Sequence, residues 1–302
     1  MEKLVGEIKE LCKEKDAVIL AHYYVDGALQ EIADYVGDSY YLAKVAKKNT
    51  HKTIVFCGVT FMGESASILN PDKTVLVPAM DAVCPMALMV DPDTIAQMRA
   101  KYDDLAVVCY INSMADIKAL SDVCVTSSNA LKIVKSLPNK NIFFIPDGNL
   151  GRFVKETVTD KNVILNPGYC HVHTSITAEM VEKALEEHPD SEILVHPECK
   201  QDVCDVADYI GSTKEIIEHA RDSKYKSFII CTETGVLHEL QKVAPDKEFY
   251  FVGAKQVCPN MKKLTLEKVR DCLLNNGPVT KVPDEVRVKA LKPLDRMLEL
   301  AM

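Results

Sequence analysis

Ala33-Asp34-Tyr35-Val36-Gly37-Asp38-Ser39 returns almost intact as Ala207-Asp208-Tyr209-Ile210-Gly211-Ser212-Thr213, with a weaker copy, Ser121-Asp122-Val123-Cys124-Val125-Thr126-Ser127, between them. Ser39, Ser127 and Thr213 are then equivalent positions, 88 and 86 residues apart. Working outward from these heptads, the same two intervals separate His22, Tyr110 and His196, and again Tyr24, Asn112 and Glu198. Cys84, Cys170 and Cys258 repeat at 86 and 88. One coincidence of spacing is common in α/β proteins. Four sets of polar or metal-capable residues in one register mark an internal repeat of about 87 residues.

Short β-branched runs alternate with amphipathic stretches throughout. Residues 17–22, 53–57, 74–77, 105–110, 141–145, 162–165, 192–195, 226–231 and 248–252 read as strands, and each set of three is preceded by a charged helical pattern. That alternation implies parallel sheets with crossover helices. The fold expected is therefore α/β, with three repeated units carrying short parallel sheets about a pseudo-threefold axis and the active site at the centre. The units run 1–88, 89–174 and 175–262, followed by a C-terminal helical extension, 263–302, expected to pack back on the first unit. A length prior of about 150 residues per domain would give two domains, but the register outweighs it.

Composition narrows the function. The chain of 302 residues carries 36 Lys and Arg against 44 Asp and Glu, a net −8, and no basic run interleaved with aromatics. A nucleic-acid partner is not expected, nor a membrane one, since no apolar run approaches a bilayer span. A charged N-terminus without an apolar leader reads as cytoplasmic. The eleven cysteines are odd in number and lack any CxxC pair, so neither a disulfide framework nor a zinc ribbon is indicated. Cys12, Cys57, Cys109, Cys124, Cys231 and Cys272 read as small buried side chains.

Ligands of open parallel sheets sit beyond the carboxyl ends of the strands, where the register places His22 with Tyr24, Tyr110 with Asn112, and His196 with Glu198. Ser39, Ser127 and Thr213 open or precede helical patterns, where amide groups and the helix dipole favour anions. Taken singly they would be plain caps; their shared register points to ligand binding. Three cysteines converging on one axis suit a [4Fe–4S] cluster with one iron free of protein, able to act as a Lewis acid. A closed zinc site would need a fourth ligand, for which His173 is the candidate. His51, His188, His219 and His238 are expected at the surface, and Asp34, Asp122 and Asp208 in structural hydrogen bonds.

The ordered combination of Ala21-His22-Tyr23-Tyr24, Gly37-Asp38-Ser39, Cys84-Pro85-Met86, Tyr110-Ile111-Asn112-Ser113, Pro167-Gly168-Tyr169-Cys170-His171-Val172-His173, His196-Pro197-Glu198-Cys199 and Cys258-Pro259-Asn260-Met261-Lys262 resembles the quinolinate synthase family along essentially the whole chain. Some members carry CxxCxxC at the third cysteine, where this chain has Cys258 alone. The resemblance implies three similar domains around an oxygen-sensitive [4Fe–4S] cluster held by Cys84, Cys170 and Cys258. It implies condensation of iminoaspartate with dihydroxyacetone phosphate to quinolinate, phosphate and water in NAD biosynthesis, with L-aspartate oxidase or aspartate dehydrogenase supplying the imine. His22, Ser39, Tyr110, Asn112, Ser127, His173, His196, Glu198, Ser212 and Thr213 are expected to bind substrate. Tyr24, Tyr110, His196 and Glu198 are the expected acid and base groups. Another cluster-dependent hydro-lyase and a non-catalytic iron–sulfur sensor are the rival readings.

Overall fold

The computed structural model describes residues 2–302; Met1, with which the first expected unit begins, lies outside the described residues. The first sheet holds β1 (Ala17–His22), β2 (Tyr35–Gly37), β3 (Thr53–Cys57) and β4 (Thr74–Leu76). The second holds β5 (Leu105–Tyr110), β6 (Val123–Val125), β7 (Asn141–Ile145) and β8 (Asn162–Leu165), and the third β9 (Glu192–Val195), β10 (Tyr209–Ile210), β11 (Ser227–Cys231) and β12 (Glu248–Phe251). Every neighbouring pair is parallel. The order across each sheet is the same: β2-β1-β3-β4, β6-β5-β7-β8 and β10-β9-β11-β12.

All nine segments read as strands are strands. The edge strands β2, β6 and β10 are additional, and their two or three residues are too few to show a period. What holds them is the repeated aspartate. Oδ2 of Asp34, Asp122 and Asp208 accepts from the amides of Ile19, Val107 and Ile193 at 2.8, 2.7 and 2.8 Å. The amide of each aspartate in turn donates to the carbonyl of the same residue, at 3.0, 2.9 and 3.0 Å. Each edge strand is thus pinned to the central strand of its sheet just before it begins.

β1 and β5 are buried at all six positions, the continuous apolar pattern of strands covered on both faces. In the third sheet the alternation is visible. Ile193, Val195, Ile229 and Cys231 enter one apolar cluster, Leu194, Phe228 and Ile230 the other, as the two-residue period of a strand requires. The first two sheets and the C-terminal helices instead share one continuous core.

Helix Leu266–Asn275 packs on helix Glu2–Glu14, against the first sheet as expected. The last helix, Asp284–Leu300, departs from the expectation that the tail returns to the first unit alone. Its main neighbours are helix Ala115–Ala119 and β6 of the second sheet, with helix Thr60–Leu69 of the first. The reason lies in its stripe of Ala290, Leu294 and Met297, all wholly buried at helical spacing. Arg296 donates to the Asp122 carbonyl at 3.2 Å and Lys47 pairs with Asp295 at 2.5 Å, tying the helix to both sheets. The connecting segment covers the open edge of β4, through Val77 N to Pro278 O at 3.2 Å and Thr280 N to Val75 O at 2.8 Å. Among the described residues no helix is long and apolar enough to cross a membrane.

Candidate active site

The carboxyl ends of the central strands of all three sheets face one chamber with about 790 Å³ between its walls, mouth included. The first sheet contributes His22, Tyr24, Ser39 and Cys84; the second Tyr110, Asn112, Ser127, Cys170 and His173; the third His196, Glu198, Thr213 and Cys258. Of the residues singled out in the sequence, Ser212 alone is off the wall. Its hydroxyl accepts from Glu215 N at 3.3 Å while Glu215 Oε2 accepts from Ser212 N at 2.7 Å, a capping box opening helix Thr213–Asp222.

That box frees its neighbour. Helix Ser39–Lys48 is likewise capped by Asp38, which accepts from Tyr41 N at 2.7 Å. Ser39 and Thr213 occupy the first helical position, one residue inside the cap, so their hydroxyls are not consumed in closing the helix. Ser127 lies between β6 and the N-cap residue Asn129 of helix Ala130–Ser136. The equivalence read in the sequence therefore joins three hydroxyls at the amide-rich end of a helix or the turn leading into it, where anions are favoured.

A chain of polar contacts crosses the chamber. Tyr24 OH meets Thr213 Oγ1 at 2.6 Å and Thr232 Oγ1 at 2.8 Å; Thr232 Oγ1 is 3.0 Å from His173 Nε2. His173 Nδ1 is 3.0 Å from Glu198 Oε2, and Tyr110 OH donates to Glu198 Oε1 at 2.5 Å. Burial opposes the charge on Glu198, but the His173 ring, its hydrogen bond, His196 and the Tyr110 hydroxyl outweigh it and hold the carboxyl down at about 2. The buried Glu198 carboxyl is thus ionised. Burial, then the Glu198 charge, pushes both tyrosines well above their ordinary value, so they stay protonated donors. Thr232, wholly buried, escaped the sequence reading because Pro146 and Gly58 occupy its equivalent positions.

His22 and His196 repeat one local device. Nδ1 of His22 accepts from Tyr24 N at 3.1 Å, and Nδ1 of His196 from Glu198 N at 3.2 Å. In the neutral ring this network assigns the proton to Nε2, leaving an N–H donor for a ligand. Burial pulls His22 down to about 4 against the Glu198 charge. Burial and the neighbouring His173, stacked at 4.5 Å between centroids, bring His196 to about 3. Both rings are therefore neutral donors near pH 7. For a histidine of lowered pKa, the unfolded chain takes up protons below about 6.5 while the folded one does not, so stability is lost as pH falls through that value. The stability difference between wild type and His196→Gln should move about 2 kcal/mol against the wild type from pH 7.5 to 5 in denaturant titrations of the metal-free protein. An unchanged difference would mean His196 titrates normally.

The three cysteines arrive on loops that leave the last strand of each sheet, and all three line the chamber. Burial raises all three thiols, Cys84 to about 12, so in the metal-free chain they hold their protons. Their sulfurs are not all within 4.8 Å of one another; the donors that are so gathered are Cys170, His173 and Glu198. The wider triangle suits a multi-iron group better than a single ion, because each sulfur of a cluster binds a different iron. His173 and Glu198 already serve Thr232 and Tyr110, which speaks against a closed zinc site. The donor set fits a metal centre held by cysteine. The other cysteines are also free thiols; Cys57, Cys109, Cys124, Cys231 and Cys272 are buried as expected, with Cys12 half-buried. His51, His188, His219 and His238, expected at the surface, are half-buried. His219 pairs with Glu192 at 2.9 Å and His238 with Glu31 at 2.8 Å.

Comparison with known proteins reaches the full length of the chain. The family model described as Quinolinate synthetase A protein matches residues 6–299. The chain is 56% identical over 295 residues to a quinolinate synthase of Fusobacterium nucleatum, covering 97% of this chain and 98% of that protein. It is 52% identical over 300 residues to the quinolinate synthase of Caldicellulosiruptor bescii, covering 99% of each. Over 298 residues it is 50% identical to that of Clostridioides difficile, covering 99% of this chain and 98% of the relative.

Proposed function

The chain belongs to the quinolinate synthetase A family, and from that premise we propose that its chamber condenses iminoaspartate with dihydroxyacetone phosphate to quinolinate, releasing one phosphate and two waters. The observation that carries the proposal is the convergence of three cysteines and the repeated polar residues on one chamber. We take the three sheets as three domains, 1–88, 89–174 and 175–262, set about a pseudo-threefold axis, with 263–302 as an extension. Their common strand order supports this.

Cys84, Cys170 and Cys258 would hold a [4Fe–4S] cluster. Bound there, it supplies a Lewis-acidic iron without a protein ligand, at which a substrate hydroxyl is made a better leaving group.

Everything else falls to the chain's own groups. Ser39, Ser127 and Thr213 receive carboxylate and phosphate oxygens at the helix ends. His22 and His196 donate from Nε2, and their neutrality keeps them donors throughout the neutral range. Asn112, whose Oδ1 is buried without a partner, offers an acceptor for an N–H or O–H of the substrate. Glu198, held as the carboxylate, takes protons during tautomerisation and ring closure, and Tyr110 steadies it by a hydrogen bond. Tyr24 returns a proton, its link to Glu198 running through Thr232 and His173. The eleven free thiols suit a reducing compartment such as the cytoplasm, and the lability of an imine in water calls for an aspartate-oxidising partner such as L-aspartate oxidase or aspartate dehydrogenase.

Anaerobic reconstitution with iron and sulfide, followed by assay of quinolinate and phosphate, tests the reading. Both products should appear in equal amounts only when dihydroxyacetone phosphate is present. A loaded protein that dehydrates a hydroxy acid but releases no phosphate would favour the hydro-lyase reading.

A further inference from the structure

Each cysteine loop is tied back to the helix that follows the third strand of its own unit, or to the turn leading into it. Thr60 N donates to Ala82 O at 3.0 Å, Gly148 N to Gly168 O at 2.8 Å and Thr234 N to Gln256 O at 2.9 Å. Each acceptor lies two residues before its cysteine. The first sheet has no buried carboxylate at this place; its loop is held besides by Lys263 Nζ, which donates to Asp81 O at 2.6 Å on the exposed side. The second and third add a buried carboxylate. Asp147, fully buried, accepts from Cys170 N at 3.1 Å through Oδ2 and from Leu150 N at 2.7 Å through Oδ1. Glu233, 1% exposed, accepts from Cys258 N at 2.9 Å through Oε1 and from Gly235 N at 2.6 Å through Oε2.

Asp147 and Glu233 stand 86 residues apart, the interval that separates Tyr110 from His196, and 88 residues before Asp147 the position is held by Val59. Burying a carboxylate is unfavourable unless its oxygens are fully engaged. Here each oxygen is engaged, one by the start of the following helix or turn and the other by the amide of a cysteine. Lys262 stands 3.5 Å from Glu233, and the start of helix Gly148–Thr157 faces Asp147. Neither acid is needed as a ligand or base in the reaction described above. Their shared partner, the amide of a metal-binding cysteine, gives them a different task.

We propose that Asp147 and Glu233 are positioning residues for the cysteine donors. They fix the backbone of Cys170 and Cys258 before metal enters, and leave Cys84, whose amide has no carboxylate partner, as the more adjustable third donor. The proposal rests on the reading that these cysteines hold a cluster.

The test uses the full chain, reconstituted anaerobically, and follows loss of iron to a chelator by the decay of absorbance near about 400 nm. Asp147→Ser keeps a capping hydroxyl for Leu150 N but is too short for the Cys170 amide. Glu233→Gln sets an NH2 group against one of the two amides. Glu233→Asp keeps the charge but cannot span both. All three should release iron about tenfold faster than wild type, with the far-ultraviolet spectrum and melting temperature of the iron-free protein held. Faster release from Glu233→Asp, which keeps the charge, would assign its effect to lost reach, and faster release from Glu233→Gln, which keeps the reach, to the lost second acceptor. Wild-type release rates in the folded variants would overturn the proposal. Should Asp147→Ser not fold, the two Glu233 variants decide alone. A wild-type chain that takes up no cluster would instead overturn the reading beneath it.

Discussion

Replacing Cys84, Cys170 or Cys258 by alanine should strip the protein of its iron and its activity together, in each of the three variants separately. The physical reason is the distribution of the donors. Each of the three sheets supplies one sulfur, and among the described residues no further cysteine lines the chamber, so a missing ligand has no local substitute. The remaining two thiols are raised by burial. Without a metal to displace the proton they return to the neutral form, and a two-sulfur site loses the cooperativity that draws protons off all three. Iron and sulfide content, with absorbance near about 400 nm, are the measurements. Cys57→Ala and Cys231→Ala serve as controls: both side chains are wholly buried in strands, and both variants should keep their iron. Full occupancy in all three ligand variants would end the assignment.

Glu198→Gln should keep the iron and lose turnover, by about 10²- to 10⁴-fold in kcat. The substitution preserves shape and leaves an oxygen for the Tyr110 hydroxyl, so the chamber should hold its form. What it removes is a charge that the surrounding groups hold in place against burial. Burial alone would protonate this carboxyl, yet His173, His196 and Tyr110 hold it down at about 2. A site that offsets desolvation this strongly is poised to use the charge. Because Glu198 is ionised throughout the accessible range, the rate should not fall on its account until the pH is well below 4.5, the ordinary value for glutamate. A normal kcat in Glu198→Gln with full iron would remove the residue from the chemistry.

The long strands were legible because β1, β5 and their counterparts are buried on both faces, and a continuous apolar run needs no context to be recognised. The chamber residues were legible because the repeat preserves spacing: His22, Tyr110 and His196 declare each other. The edge strands were not, since β10 has two residues and exists through its neighbour β9 and Asp208. Nor was the division of labour between Ser212 and Thr213, where adjacent hydroxyls differ only in which one the helix start consumes. Thr232 was hidden by symmetry itself, its counterparts being Pro146 and Gly58. The docking of the last helix depends on an apolar surface made jointly by two sheets, which no local window contains.

The aspartate pins join residues 15 apart in sequence, whereas the contacts that close the chamber join Tyr110 to Glu198 and Tyr24 to Thr232 across 88 and 208 residues. Contacts of short sequence separation close at a smaller entropic cost than those of long separation. The chamber comes last. Until the third sheet has emerged and folded, Cys84 and Cys170 belong to a half-built cleft open to water, without their third partner. A chain truncated before Cys258 would keep the strands of all three sheets but lose the third cysteine of the chamber and the C-terminal helices that complete the core of the first two sheets, and it should bind no iron.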